Sequence, residues 1–220
     1  MSFEVAHRTS VPADRLAGWL ERFAAGHGQL VVQCLPDALL LSATDGALAR
    51  LVNLWEPLPS QVADLDTALD HLTRPRTFGL LLVRKGADAV GVAEADELVA
   101  HRVSRHYVQA RTKAGGWSQQ RFARRRDNQA RSAYRQAAND AFEVVVPHRP
   151  RLEALVTGGD RRALAEVLID PRLQALARLP RRHPVLPVPD ARLAVLADAV
   201  RRARSVPVEL DARAAGQAPG

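Results

Sequence analysis

The feature that most constrains the fold is a long helical pattern at residues 118–142, shortly after the paired glycines Gly115 and Gly116. At 100° per residue, one narrow stripe of this segment contains only small apolar residues and a tyrosine: Ala123, Ala130, Tyr134, Ala137 and Ala141. The opposite side contains five arginines: Arg121, Arg124, Arg125, Arg131 and Arg135. We therefore expect a helix that packs through its small residues and presents its arginines outward.

The net positive charge of the chain is concentrated in the same region. Residues 101–136 contain ten basic residues and one acid, Asp127, which gives this segment a net charge of +9. The whole chain carries +7, so the other residues together carry −2. Solvated helix faces usually mix charge signs, so this pattern favours contact with nucleic-acid phosphates over a merely solvated face. The residues predicted to bind RNA are Lys113, Arg121, Arg124, Arg125, Arg131 and Arg135.

Length and composition fit a soluble globular protein of 220 residues, either one large domain or a domain with an extension. The single cysteine, Cys34, excludes a disulfide within the chain and a cysteine-based zinc site. The N-terminal residues lack the features of a signal peptide, and no stretch approaches the roughly 18 to 20 apolar residues that span a bilayer. We expect a cytoplasmic protein with no membrane partner.

The first half of the chain predicts two β-meanders, each introduced by a helix. Leu16, Trp19, Leu20 and Phe23 have helical spacing, and Trp19 and Trp55 are expected in the core. Short apolar runs separated by turn-forming residues then predict strands at 30–35, 38–42 and 47–54. After a helix at 60–72, the second meander is expected at 77–84, 89–95 and 98–111.

The last strand of the second meander has a mixed pattern that indicates exposure. Its residues Arg102, Ser104 and His106 are expected to share one face, with His101 on the other.

Beyond residue 150 the pattern is that of an α/β protein. A buried strand at 152–157 is followed by Gly158 and Gly159, which predict a turn, and by Asp160, which predicts the N-cap of a helix at 161–169. A later helix precedes a final strand at 206–210. The predicted fold class is α/β, an α+β mixed sheet flanked by helices. The predicted divisions are an N-terminal helix and meander packed on the core (1–58), a main domain (59–211) and a disordered tail (212–220).

The chemistry available near the basic segment is limited. Metal-dependent nucleases need clustered carboxylates, and this segment has one acid, so no metal or cofactor is predicted. Gly115 and Gly116 permit close approach to another surface. Gln119 is no general base, but its amide can orient a water molecule if another macromolecule supplies most of the active site. A plain flexible loop remains the alternative.

The order of meander, glycine loop, basic helix, strand and second glycine pair resembles a known family over roughly residues 75–210. The segments that carry the resemblance are AGGWSQQRFARRRDNQ and LVTGGDRRALAEVLIDPRL. They resemble the catalytic middle domain of eukaryotic and archaeal translation termination factors, and more closely the Vms-like release factors, including their actinobacterial branch. The resemblance implies a release-factor middle-domain-like fold and a ribosome-associated peptidyl-tRNA hydrolase acting in ribosome rescue.

The resemblance also implies roles for individual residues. Gln119, with the loop glycines Gly115 and Gly116, matches the family's catalytic loop, in which a glutamine promotes hydrolysis of the ester between nascent chain and tRNA. Classical termination factors place this glutamine directly after the glycines, whereas here Trp117 and Ser118 intervene. The spacer leaves open whether Gln119 or its neighbour Gln120 acts, and we choose Gln119 because it is nearer the loop tip.

The implied partners are the large ribosomal subunit, its rRNA and peptidyl-tRNA, bound by a monomer. Two other hypotheses remain. The first is a noncatalytic RNA- or ribosome-binding module that uses the same arginines, and the second is a metal-dependent nuclease.

Overall fold

A computed structural model describes residues 3–59, 64–84, 86–106 and 118–216, with side chains on the long helix described at 124 and from 127 onward. The chain forms two compact units. The first, which we call the split unit, comprises the described parts of Met1–Arg74 and Arg204–Gly220. The second, the central unit, is Pro75–Ala203.

The split unit is a five-stranded antiparallel sheet covered by helices. Its strands are β1 (His7–Pro12), β2 (Leu30–Leu35), β3 (Ala38–Ala43), β4 (Leu48–Val52) and β9 (Ser205–Leu210). Their order in the sheet is β1-β9-β4-β3-β2. Its helices are α1 (Leu16–His27), α2 (Leu65–Thr73) and α7 (Ala212–Gly216).

The central unit is a four-stranded mixed sheet with helices. Its strands are β5 (Thr77–Arg84), β6 (Ala87–Glu94), β7 (Glu97–Arg105) and β8 (Ala154–Gly159). The order is β7-β6-β5-β8, and only the β5–β8 pair is parallel. Its α-helices are α3 (Ser118–Val144), α4 (Arg161–Leu168), α5 (Gln174–Ala177) and α6 (Leu193–Ala203). The mixed α/β fold class and both meanders are confirmed.

The core of the split unit explains why its distant strands meet. Leu16, Leu20 and Phe23 project from α1 at helical spacing and pack in one buried cluster with residues of β3, β4 and β9. Trp19 packs partly buried against that cluster and stacks on Phe23, with 5.2 Å between ring centroids. Trp55 is buried, which agrees with its predicted place in a core.

The division of the chain differs from the predicted boundaries at 58, 211 and 212. Strand β9 was expected in the main domain, but it lies between β1 and β4 because Val206, Val208 and Leu210 alternate onto the core of the split unit. Residues 212–216, expected in a disordered tail, form α7, and Ala214 is buried in the same core. Strand β1 was not predicted.

Helices cover both faces of the central sheet. Alternate residues of β5 and β6, including Leu81 and Val92, pack in a buried cluster with Ala137 and Ala141 of α3. On the opposite face, Leu196 of α6 lies so close to Gly91 that a Cβ on this glycine would approach within 3.2 Å of the leucine side chain. The crossover from β5 to its parallel neighbour β8 therefore contains α3 on one face of the sheet.

Gly158 and Gly159 end strand β8 instead of forming the predicted separate turn. Gly158 continues the ladder because its missing side chain leaves room for Leu82 and Val188, which a Cβ would meet at 2.7 and 2.8 Å. Gly159 adopts φ +96°, and its left-handed conformation turns the chain toward Asp160. Asp160 then caps α4, as predicted, by accepting hydrogen bonds from the backbone N–H groups of Arg162 and Ala163.

Gly159→Ala should destabilise the central unit strongly. The new Cβ would lie 2.1 Å from the carbonyl oxygen of Val83, and the positive φ would be strained as well. We expect a loss of about 3 kcal/mol in the free energy of unfolding, seen by calorimetry as a lower transition temperature. The control is Gly26→Ala in α1, where nothing lies within 4 Å of the added Cβ. Equal transition temperatures for the two variants would contradict the prediction.

Within the described ranges, no helix combines the length and the apolar character needed to cross a membrane.

Candidate nucleic-acid interface

Helix α3 packs on the central sheet through small side chains. Ala133, Ala137, Ala138 and Ala141 are buried, and Tyr134 is half-buried beside them. Alanine lets the helix backbone approach the sheet closely and is the best helix former. The predicted stripe is therefore confirmed at Ala137 and Ala141.

The outward face of α3 carries the described part of the arginine set. Arg124, Arg131 and Arg135 are exposed, and ideal helix geometry places them about 120° to 160° around the axis from Ala137. Arg121 and Arg125 also lie on α3, but their side chains are outside the described residues, as is Lys113 altogether. Arg124, Arg131 and Arg135 form one solvent-facing row, which we call the arginine row. A row of exposed cations suits an anionic partner.

One predicted catalytic residue, Gln119, lies at the N-terminal end of the same helix. Gln119 is the second residue of α3, so the helix begins where predicted, although its side chain is outside the description. Gly115 and Gly116 lie outside the described residues. The assignment of Gln119, Gly115 and Gly116 as catalytic residues stays a prediction.

A groove of about 330 Å³ runs beside the arginine row, between α3 and the end of α4. Arg131, Tyr134 and Arg135 line one side. Glu166 and Asp170 line the other. Burial raises the pKa of Tyr134 above its ordinary value. The groove therefore offers both charge signs beside the basic row, and a polyanion would meet its cations on the α3 side.

A buried polar cluster, which sequence reasoning missed, lies beneath α3. Asp140 is fully buried and accepts hydrogen bonds from Ser104 Oγ, from Arg102 Nη1 at 3.2 Å and from Gln136 Nε2 at 3.0 Å. Arg102 Nη1 also donates to the exposed Glu143 at 2.5 Å. These two carboxylates raise the pKa of Arg102. The cluster joins α3 to the edge strand β7.

A second carboxylate, Asp88 on β6, extends this cluster. His106 Nε2 lies 2.5 Å from Asp88 Oδ1, and the backbone N–H of His106 donates to the carbonyl of Gly86 at 2.7 Å. Asp88 is fully buried, and its Oδ2 has no hydrogen-bond partner among the described residues. Burial, with the nearby charge of Asp140, raises the pKa of the Asp88 carboxyl to about 6.

The sequence contained two signs of this cluster. Asp140 interrupts the alanine stripe of α3, and Asp88 directly precedes the apolar run at 89–93. The predicted common face of Arg102 and Ser104 is confirmed, because both bind Asp140.

Asp88→Asn should remove a pH-dependent loss of stability. Since the folded-state pKa of Asp88 is raised from 3.8 to about 6, the folded chain binds more protons than the unfolded chain between these values. The free energy of unfolding contributed by this group therefore falls as pH rises through that window. In denaturant titrations, the free energy of unfolding of the variant relative to that of wild type should increase by about 2 kcal/mol as the pH rises from 4 to 7. A difference that does not change with pH would refute this.

No three His, Cys, Asp or Glu side chains in the described part of the chain are grouped so that they could hold a metal ion.

Comparison with known proteins identifies a family for this chain. No curated protein sequence matches this chain. A crystal structure of an archaeal translation termination factor, aRF1, aligns with a TM-score of 0.38 and 12% sequence identity over 87% of this chain. The aligned part is 62% of that protein's length.

The family model described as the actinobacteria/chloroflexi VLRF1 release factor matches residues 76–209, which include β7, the basic helix α3 and the polar cluster beneath it. This match covers well over half of the chain, so the resemblance seen in the sequence is confirmed. The chain belongs to the actinobacteria/chloroflexi VLRF1 release-factor family.

Proposed function

We propose that this protein is a ribosome-associated peptidyl-tRNA hydrolase that frees nascent chains from stalled large ribosomal subunits. Membership of a release-factor family supports a role in translation termination or ribosome rescue. The partners would be the large subunit, its rRNA and peptidyl-tRNA. The protein would act as a monomer in the cytoplasm, where ribosomes are found.

The observation that carries the proposal is the construction of α3. One side is an alanine surface buried on the sheet, the other presents Arg124, Arg131 and Arg135, and the first turn contains Gln119. A helix built in this way can dock on RNA phosphates through one face and carry a polar residue in its first turn. Docking and chemistry would thus lie on one rigid element.

In the proposed mechanism Gln119 hydrogen-bonds and orients the attacking water, with Gly115 and Gly116 letting the loop approach the ester closely. A backbone N–H would support the developing negative charge on the ester oxygen. Glutamine does not titrate, so the ribosomal RNA and the tRNA would supply the rest of the active site. No metal or cofactor takes part in this proposal.

A noncatalytic RNA- or ribosome-binding module is the second candidate, because the same arginines would serve it. The two candidates differ in their products. A hydrolase yields free nascent chain and an intact deacylated tRNA, whereas a binding module yields neither.

The decisive experiment incubates the full chain with isolated large subunits that carry a labelled nascent chain on tRNA. Electrophoresis then separates peptidyl-tRNA, free peptide and tRNA. Free peptide with intact tRNA supports the proposal, while binding without release supports the second candidate. Shortened tRNA would instead indicate a nuclease.

A further inference from the structure

The buried cluster beneath α3 joins the two elements that flank the proposed catalytic loop. On the helix side Asp140 is fully buried and binds Arg102 and Ser104 of β7. On the strand side His106, the residue after β7, binds Asp88 of β6. Asp88 is the register partner of Ser104, so these contacts lie side by side across two neighbouring strands.

The rest of the α3 contact surface has little directional character. Ala133, Ala137, Ala138 and Ala141 contribute small, similar surfaces to the sheet. Such a surface packs closely but discriminates weakly between neighbouring helix positions or rotations. Hydrogen bonds to a buried carboxylate are directional and strong, so Asp140 has a single favourable position relative to Arg102 and Ser104.

Stability alone does not account for this carboxylate. Burial of a charge has a large desolvation penalty, and apolar replacements of buried ion pairs are often neutral or stabilising. Asp140 also raises the pKa of the neighbouring Asp88, which means that the two carboxylates repel each other. The best-attested gain from such a buried charged group is the specification of one geometry.

A small change in helix orientation at Asp140 produces its largest displacement at the N-terminal end of α3. Gln119 precedes Asp140 by 21 residues on one continuous helix, which corresponds to about 31 Å along the axis. A tilt of only about 5° at Asp140 would therefore move the first turn of α3 by about 3 Å. Misplacement of a reacting group by about 1 Å can reduce a rate by about 100-fold.

We propose that Asp140 is a positioning residue that, through Ser104 and Arg102, fixes α3 on the edge strand β7 and so determines where the first turn of α3 lies. Its effect on catalysis rests on the proposed function, whereas its effect on helix position does not. Strand β7 thus fixes the position of Asp140, and the continuous helix then fixes the position of its first turn, which contains Gln119.

The main variant is Asp140→Ala, with Asp140→Asn as the conservative replacement. Alanine continues the buried stripe and removes the repulsion from Asp88, and Arg102 keeps its contact with Glu143. The matched control is Glu143→Ala, which removes an exposed partner of the same arginine on the same helix. Exposed ion pairs contribute little to stability. We expect Asp140→Ala to unfold at a lower temperature than wild type but to remain folded at the temperature of the release assay, because Arg102 keeps Glu143 as a partner.

Two measurements follow on full-length protein. In the release assay, the maximal rate of Asp140→Ala should fall at least about 10-fold, with Asp140→Asn intermediate, Glu143→Ala near wild type and the Kd for large subunits unchanged in all three. In the second, spin labels at the exposed positions Val99 on β7 and Asn128 on α3 report the strand-to-helix distance, with Cys34 replaced by serine. The distance distribution should broaden or shift in Asp140→Ala, to a smaller extent in Asp140→Asn, and remain as in wild type in Glu143→Ala.

The outcomes separate this proposal from the proposed function. An unchanged release rate in Asp140→Ala overturns the positioning role, as does a loss in which release rate, affinity for large subunits and unfolding temperature all fall together. If wild type releases nothing, the proposed function fails and the spin-label distances decide. A distance distribution that Asp140→Ala leaves unchanged would then overturn the positioning role, and a broadened one would uphold it.

Discussion

Replacing Gln119 with alanine is expected to lower the rate of nascent-chain release from stalled large subunits by at least about 100-fold. Loss of one preorganised hydrogen-bonding group at a reacting centre typically costs this much, and misplacement of the water would add to it. Binding to the large subunit should change less than about twofold, because the exposed arginines of α3 remain. Alanine is also the best helix former, so the first turn of α3 should persist.

The matched control is Gln120→Ala, which removes the same side chain one position later. We expect this variant to release at near the wild-type rate, measured as free peptide against time at saturating protein. A reversed result would move the catalytic assignment to Gln120. Normal release by both single variants and by the double variant would show that no glutamine of this pair takes part.

Reversal of the arginine row should give the second large effect. In the triple variant Arg124→Glu, Arg131→Glu and Arg135→Glu, three exposed cations become anions on the face proposed to meet RNA. Each lost phosphate contact should reduce the slope of log affinity against log salt concentration by about 0.7 to 0.9. We therefore expect the slope to fall by about 2 and the affinity for large subunits to fall at least about 100-fold at 0.1 M salt.

A control with equal charge change separates this surface from general electrostatics. Arg178, Arg181 and Arg182 are exposed in the central unit and do not belong to α3, and their replacement by glutamate alters the net charge identically. Binding measured by sedimentation at several salt concentrations should remain close to wild type for this control. If both triple variants lose affinity equally, the row on α3 is no specific interface.

Local patterns in the sequence were enough to predict most individual elements. The 3.6-residue period of α3 extends over 25 residues and leaves little choice of structure, and the two meanders follow from apolar runs separated by turn formers. The outward direction of Arg124, Arg131 and Arg135 follows from the same helical period. The assignment of Gln119 to catalysis came from family resemblance, since a neutral glutamine carries no chemical mark of its own.

The features that could not be predicted from local patterns depend on contacts between residues that are far apart in the sequence. Strand β1 has exposed residues at most positions and is defined by its pairing with β9, almost 200 residues later in the chain. Nothing within residues 7–12 specifies that partner. Asp88 and Asp140 were missed because a charged side chain is assigned to the surface by default, although each lies within an apolar pattern. Their burial depends on contacts between β6, β7 and α3, which only the tertiary fold defines.

The pairing of β9 between β1 and β4 has a consequence for vectorial synthesis. Among the described strands, β1 has β9 as its single neighbour, and β4 also needs β9 as its second neighbour. A nascent chain that stops short of residue 205 would contain the whole central unit, yet its first strand would have no partner. Loss of β9 by proteolytic cleavage before residue 205 would therefore open this sheet at an interior position instead of trimming its edge.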